Sequence, residues 1–479
     1  MDRTKKRRNW MLAVIAVVGL LSALIWPLSG LAQSATAQTW TSSITYYTPD
    51  PTGGQLWIDY YYEADGGGTL AKSYGPITLA GHKAGSLFIG NAGLPSGFSG
   101  GSAVLRADVP VVATYVQFAE GAAANEYGRL LYSGFSATDA ANKFYIPTFL
   151  YQKFGSTSLM AVQNVEGSNN AVTVKAYALG ATSPTSTKNY TLPPSASQIL
   201  TPGDLGLPSG FNGSVVIEGA GSVVASAQET DDAGRGAYAF EGVASGANKI
   251  YMASMLCNAF DGQNSYYAIQ NAGTTTANVT VDFYNTAGTK VASMPSTAIT
   301  AGNKISVNPC DYGVPAGTSG SAVINSTGGA VIAMGKVKSP SGLSTAFVGQ
   351  AAGATKIAAP YIRWAANPSA EWRSYIAVMN VGTANATNVV ATYYDGAGNV
   401  AGTENIATAG NPLKPLIKRN TTAQSAGALD TGGNFGLNPY GGAVEFTSDQ
   451  PIVVVVRVQR DVSLGATTRF AEDYNGVAV

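Results

Sequence analysis

From residue 40 onward, apolar residues fall in short runs of two kinds. One kind alternates. In Val279-Thr280-Val281-Asp282-Phe283-Tyr284, the residues Val279, Val281 and Phe283 share one face and Thr280, Asp282 and Tyr284 the other. The other kind is unbroken, as in Ala330-Val331-Ile332-Ala333-Met334 and Pro451-Ile452-Val453-Val454-Val455-Val456. Alternation predicts a half-buried strand, and an unbroken β-branched run predicts a central strand covered on both faces. No stretch past residue 40 combines helical spacing with caps, so the expectation is all-β.

The runs repeat. SLMAVQNVEGSNNAVTVKAYALG from Ser158, SYYAIQNAGTTTANVTVDFYNTAG from Ser265 and SYIAVMNVGTANATNVVATYYDGAG from Ser374 are copies of one strand-turn-strand segment. Asn164, Asn271 and Asn380 lie 107 and 109 residues apart, and Tyr177, Tyr284 and Tyr394 lie 107 and 110 apart. A period that long means a whole small domain copied in tandem. GLPSGFSGGSAVL from Gly93, GLPSGFNGSVVI from Gly206 and GVPAGTSGSAVI from Gly313 repeat the back half, with FGLNPYGGAVEF from Phe435 as a degraded fourth copy. Short aromatic strands, Leu130-Leu131-Tyr132, Ala237-Tyr238-Ala239-Phe240 and Ala346-Phe347-Val348, close the first three units. Seven or eight short strands in each unit predict antiparallel β-sandwiches. The expected division is a signal peptide over 1–37, a diverged first repeat over 38–142, and repeats over 143–248, 249–355 and 356–479. The small-residue stretches ATDAAN, VASGAN and QAAGAT between units predict short linkers with little to fix one domain on the next.

Composition supports an exported protein. Gly is 57 of 479 residues and charged residues are 12%. Arg3, Lys5, Lys6, Arg7 and Arg8 precede an apolar stretch from Trp10 to Trp26, and Ala35-Thr36-Ala37 is a small-x-small cleavage site. The alternative is an uncleaved signal anchor. Without residues 1–37 the chain keeps 23 Lys+Arg against 27 Asp+Glu, too weak a charge to call for nucleic acid or an anionic membrane as partner. No second long apolar segment predicts a membrane span.

The run from Ala268 to Gly302, with its Asn-x-Gly turn, VTVDFYNTAGTKV and ITAG, resembles the cell-adhesion-related immunoglobulin-like domains of bacteria known as CARDB. The resemblance covers the front halves of units two to four. It implies a sandwich spacer or adhesion module on the cell surface.

Chemistry-bearing residues are sparse. The one histidine, His82, sits in a turn that reads as solvated. Glu229-Thr230-Asp231-Asp232 and Glu472-Asp473 occupy matching places in units two and four. They read as solvated loops, with calcium coordination as the functional alternative. Asn164, Asn271 and Asn380 are expected to hydrogen-bond their own turn backbone, against an isopeptide bond to Lys143, Lys249 or Lys356. Cys257 and Cys310 are open between a disulfide, which the exported context permits, and two buried thiols. Sequons at Asn189, Asn212, Asn278, Asn325, Asn385 and Asn420 are open to glycosylation or chance. Tyr46, Tyr47, Trp57, Tyr60, Tyr61 and Tyr62 crowd the first unit and form the one candidate binding surface, for a glycan or a partner subunit.

The sequence therefore predicts four tandem immunoglobulin-like sandwiches in a row, forming a semi-rigid rod with no enzymatic activity and no cofactor. Its expected role is a surface-layer or filament subunit or an adhesin, partnered by copies of itself or other surface proteins. A carbohydrate-binding surface protein is the alternative.

Overall fold

The computed structural model describes residues 14–17, 39–120, 129–231, 237–364, 372–428, 440–460 and 471–479. Strands dominate these residues, with short 3-10 turns between some of them, and the strands form several antiparallel sheets. The cleavage site and most of the expected leader lie outside the described residues.

The third repeat shows the pairing pattern most simply. Its leading strand, Lys249–Cys257, pairs with Thr318–Thr327, which pairs with Ala277–Asn285 and then Lys290–Ile299. The facing sheet runs Lys304–Val307, Asn264–Asn271, Val331–Lys338 and the closing strand Ser344–Val348. The alternating strand behaves as its pattern requires: Ala277, Val279, Val281 and Phe283 are buried between the two sheets and Asn278 faces water. The same partners recur in the other repeats. In the second and fourth, the two central strands merge into single long strands, Asn212–Asp231 and Tyr440–Arg460, that run through both sheets.

The in-phase asparagines anchor this pattern. Asn271 Nδ2 donates to the carbonyls of Thr275 at 2.7 Å and Ile299 at 2.8 Å, and its Oδ1 accepts from the Gly273 amide. Asn164 and Asn380 bond the same way to their own turns. All three are fully buried, so each amide satisfies backbone groups that folding removes from water. Lys143 and Lys356 point elsewhere, to Glu218 and Glu445.

The repeats do not lie in a row. Closing strands Arg129–Ser133, Ala237–Glu241, Ser344–Val348 and Ala471–Asn475 pack one against the next, and the last packs against the first. The chain thus closes on itself, with Ser133 of the first repeat bonded to Asn475 of the last. This overturns the expected rod and the expected loose linkers. The reason is apolar area. One buried cluster joins Val116 and Leu131 to the fourth repeat, and another joins Ala377, Met379, Val453 and Val455 to the third. The unbroken apolar strands are covered on both faces because their second face meets a neighbouring repeat.

Candidate functional site

The four junctions are built from residues at equivalent places. At the centre stand Ser133, Glu241, Val348 and Asn475, each the register partner of the matching central-strand residue: Thr114, Ser226, Met334 and Val455. Ser133 Oγ donates to the Asn475 carbonyl at 2.9 Å, and the Ser133 amide donates to the Glu241 carboxylate. Asn475 Nδ2 donates to the Val348 carbonyl at 2.6 Å. On each closing strand the next residue inward is aromatic: Tyr132, Phe240, Phe347 and Tyr474 fill the repeats' own interiors.

Charged pairs lie just outside this centre. Arg129 grips Glu472 of the fourth repeat with Nε at 3.0 Å and Nη2 at 3.1 Å, and its guanidinium lies 4.3 Å from the Trp372 ring centroid. Lys336 Nζ stands 2.6 Å from both Glu229 oxygens, across the junction of repeats two and three. Arg457 forks onto Asp473 with both bonds at 2.8 Å and reaches Gln263 of the third repeat at 2.8 Å. Between repeats one and two the bond is neutral, from Gln228 Nε2 to Gln117 Oε1 at 2.8 Å.

These pairs correct the reading of the acidic clusters. Glu229 is 2% exposed, Glu472 and Asp473 1% each. Glu229 and Glu472 are interface carboxylates and Asp473 is a buried partner of Arg457 in its own repeat, so none is a solvated loop residue; Asp232 lies outside the described residues. Burial raises the Glu472 carboxyl above its ordinary range, against the pull of Arg129. Lys304 and Lys418 hold equivalent places on the strands opposite Gln270 and Met379. Burial, then Lys336, draws Lys304 down to about 7, with Glu229 opposing. Burial, then Arg457, draws Lys418 down to about 7, with Asp473 opposing.

A second contact recurs outside the centre. His82, Ser195, Gly302 and Leu416 occupy one turn position, all with left-handed backbone, at φ of 55°, 60°, 75° and 64°. Ser102 Oγ donates to the Ser195 carbonyl at 2.7 Å, Ser214 to Gly302 at 2.7 Å and Ser321 to Leu416 at 2.6 Å. These are the serines of the repeated GGSAV, NGSVV and SGSAV segments. At 302 the neighbour, not the backbone, favours glycine: a Cβ there would meet the Tyr177 ring at 2.8 Å.

The fourth junction replaces this bond. Ala443 stands where the other repeats have serine, and the turn residue it faces is His82. The imidazole stacks on Tyr394, with centroids 4.4 Å apart and planes 10° apart. Tyr47 Oη donates to Glu445 Oε1 at 2.8 Å, and Lys356 Nζ stands 3.2 Å from Glu445 Oε2. His82 is therefore a half-buried closure residue, not a solvated one.

The six aromatics of the first repeat do not form one exposed face. Tyr46, Tyr47 and Tyr60 are buried, and burial pushes the Tyr46 hydroxyl up to about 12. Trp57, Tyr61 and Tyr62 are half-buried; Arg106 lies 5.7 Å from the Trp57 ring centroid and Tyr62 leans on Phe98 at 5.3 Å. Alternation along Gly54–Tyr62 accounts for this, because Leu56, Ile58 and Tyr60 share the inward face. Cys257 and Cys310 are disulfide-bonded, with Cα atoms 5.3 Å apart. Among the described residues no three His, Cys, Asp or Glu side chains gather as a metal-binding set.

No protein-family model and no curated protein matches the chain. Among solved structures, the crystal structure of Thermotoga maritima 1070 is similar over 22% of this chain and 97% of its own, at 18% identity and a TM-score of 0.20. The native conformation of E. coli alpha-2-macroglobulin, from a cryo-EM reconstruction, is similar over 91% of this chain and 28% of its own, at 8% identity and a TM-score of 0.12. At such scores neither bears on fold or function.

Proposed function

We propose that this chain is an exported, non-enzymatic structural protein in which four immunoglobulin-like sandwiches close into one rigid body. It serves as a building block of a surface layer or extracellular filament, or as the head of an adhesin. One observation carries this reading: the buried charged groups join repeat to repeat. Arg129–Glu472 joins the first repeat to the fourth and Lys336–Glu229 the third to the second, while Arg457, held by Asp473 within the fourth repeat, reaches Gln263 of the third. Buried pairs of this kind fix a geometry more than they add stability. A rigid, weakly charged block with β edges suits assembly with neighbours.

Nothing favours the carbohydrate-binding reading, because half of its aromatic cluster is committed to the interior. Protease shaving of intact cells, with immunogold labelling of the envelope, tests the proposal. Release of fragments of this chain and label outside the cell are the expected results; a chain protected inside intact cells overturns it.

A further inference from the structure

The first repeat differs from the others at its leading strand. In repeats two to four that strand lies between a central strand and the segment that follows the closing strand. Tyr145 pairs with Val216 and Val243, Tyr251 with Val323 and Gln350, and Ala358 with Glu445 and Val477. The residue at this place in the first repeat is Ala16, paired with Val104 on one side and Phe135 on the other. The slot is thus filled by Val14–Val17, from the apolar stretch of the expected leader, and not by anything within 38–142.

Two features set this strand apart. It has 4 residues, where its counterparts have 10, 9 and 11. Residues 151–155, 258–263 and 365–371 connect the other leading strands to the next strand, whereas 18–38 make that connection here. Cleavage after Ala37 therefore removes the leading strand of the first repeat and of no other.

We propose that the mature first repeat is a strand acceptor. Its slot, between Gly101–Ala107 and Phe135–Ser136, takes an extended, uncharged, β-branched strand from a different protein chain. The segment Val-Ile-Ala-Val pairs there main chain to main chain, in register with Ala103 to Arg106, and its sequence is the model for the donor. Leu105 and Phe135, both buried, belong to the core beside it. Main-chain pairing supplies the affinity and the apolar core the selectivity, as in other strand-addition complexes. Among the described residues each strand from Thr39 onward is already paired within its own repeat, which points to a donor other than a second copy. The inference deepens the surface-assembly reading, on which it rests, by naming how this block joins a neighbour.

The test uses the mature chain, residues 38–479, and a synthetic peptide of residues 11–20 as probe. Saturable 1:1 binding is expected, with slowed amide exchange confined to residues 101–107 and 135–136. The Ala16→Pro peptide is expected to bind at least tenfold more weakly, since proline removes a ladder donor. With an added oxidant, an Ala16→Cys peptide is expected to form a disulfide with a Val104→Cys chain. Absence of binding and protection overturns the proposal. So does a mature chain whose 101–107 amides are already protected in a self-associated form, or a native protein that retains residues 14–17. Cell shaving reports the location independently. An intracellular chain that binds the peptide sinks the surface reading alone, and a surface chain that ignores it sinks the acceptor alone.

Discussion

Ser133 and Asn475 stand 342 residues apart in sequence, yet the serine hydroxyl donates to the asparagine carbonyl at 2.9 Å in a buried site. That bond marks the place where the first repeat meets the last. It makes closure a property of particular side chains, and particular side chains can be changed.

Arg129→Met leaves Glu472 buried without its partner. The expected loss is about 3–5 kcal/mol, because an uncompensated interior charge is costly. The double change Arg129→Met with Glu472→Met is expected to recover most of that loss. Denaturant unfolding of the three chains checks both. Equal loss in the single and double variants sinks the pairwise account.

Asn271→Asp removes the amide that serves the Thr275 and Ile299 carbonyls. Leaving two buried acceptors unpaired is expected to cost about 2–4 kcal/mol. The near-isosteric change keeps the volume, so a loss below about 0.5 kcal/mol in chemical denaturation contradicts the hydrogen-bonding role.

Stability is expected to rise with pH above neutrality. Lys304 and Lys418 titrate near 7 in the folded chain, against about 10.4 when unfolded. Between those values the unfolded state binds more protons, so each unit of rising pH favours the folded state. Below pH 7 the full penalty is present. The melting temperature should climb from pH 7 to pH 9, and Lys304→Met should flatten the climb. A wild-type profile that is level or falls over this range refutes the assignment.

Reducing the Cys257–Cys310 bond frees a loop spanning 53 residues of sequence. The chain-entropy model gives about 4 kcal/mol for that length, all of it in the third repeat. Hydrogen exchange with and without reductant should show faster opening there and little change in the first repeat. Uniform acceleration across the chain contradicts a local role.

The parts of the structure that sequence reveals are those made by near neighbours. The Asn164, Asn271 and Asn380 turns are readable because each side chain bonds backbone two and four residues on, though their second carbonyl partners, Leu192, Ile299 and Leu413, lie about 30 residues away and are not. The alternation around Val281 is readable for the same reason. Closure is not readable: it pairs residue 133 with 475 and 129 with 472, and no local pattern records which repeat faces which. Glu229 and Glu472-Asp473 did carry a signal. They are charges beside apolar runs in a chain with few charges, but the structure puts Glu229 on a central strand and Glu472-Asp473 on a closing strand, so their places do not match, and nothing local names the Lys336 or Arg129 that a neighbouring repeat brings. The serine of the GGSAV segment carried a signal too, since Ser102, Ser214 and Ser321 persist where only Ala443 departs. Tyr60 could have been placed by alternation with Leu56 and Ile58; clustering of aromatics along the chain hid the fact that they face opposite ways.

Small-angle scattering of the mature chain, residues 38–479, tests closure most directly. A body in which the first repeat packs on the last is expected to give a radius of gyration near that of a compact chain of its length, about 22–26 Å. The same repeats strung end to end would give about 38 Å, from about 3.3 Å per residue along strands of about ten residues and four such units in line. The closed body gives the smaller value; the larger one rules closure out.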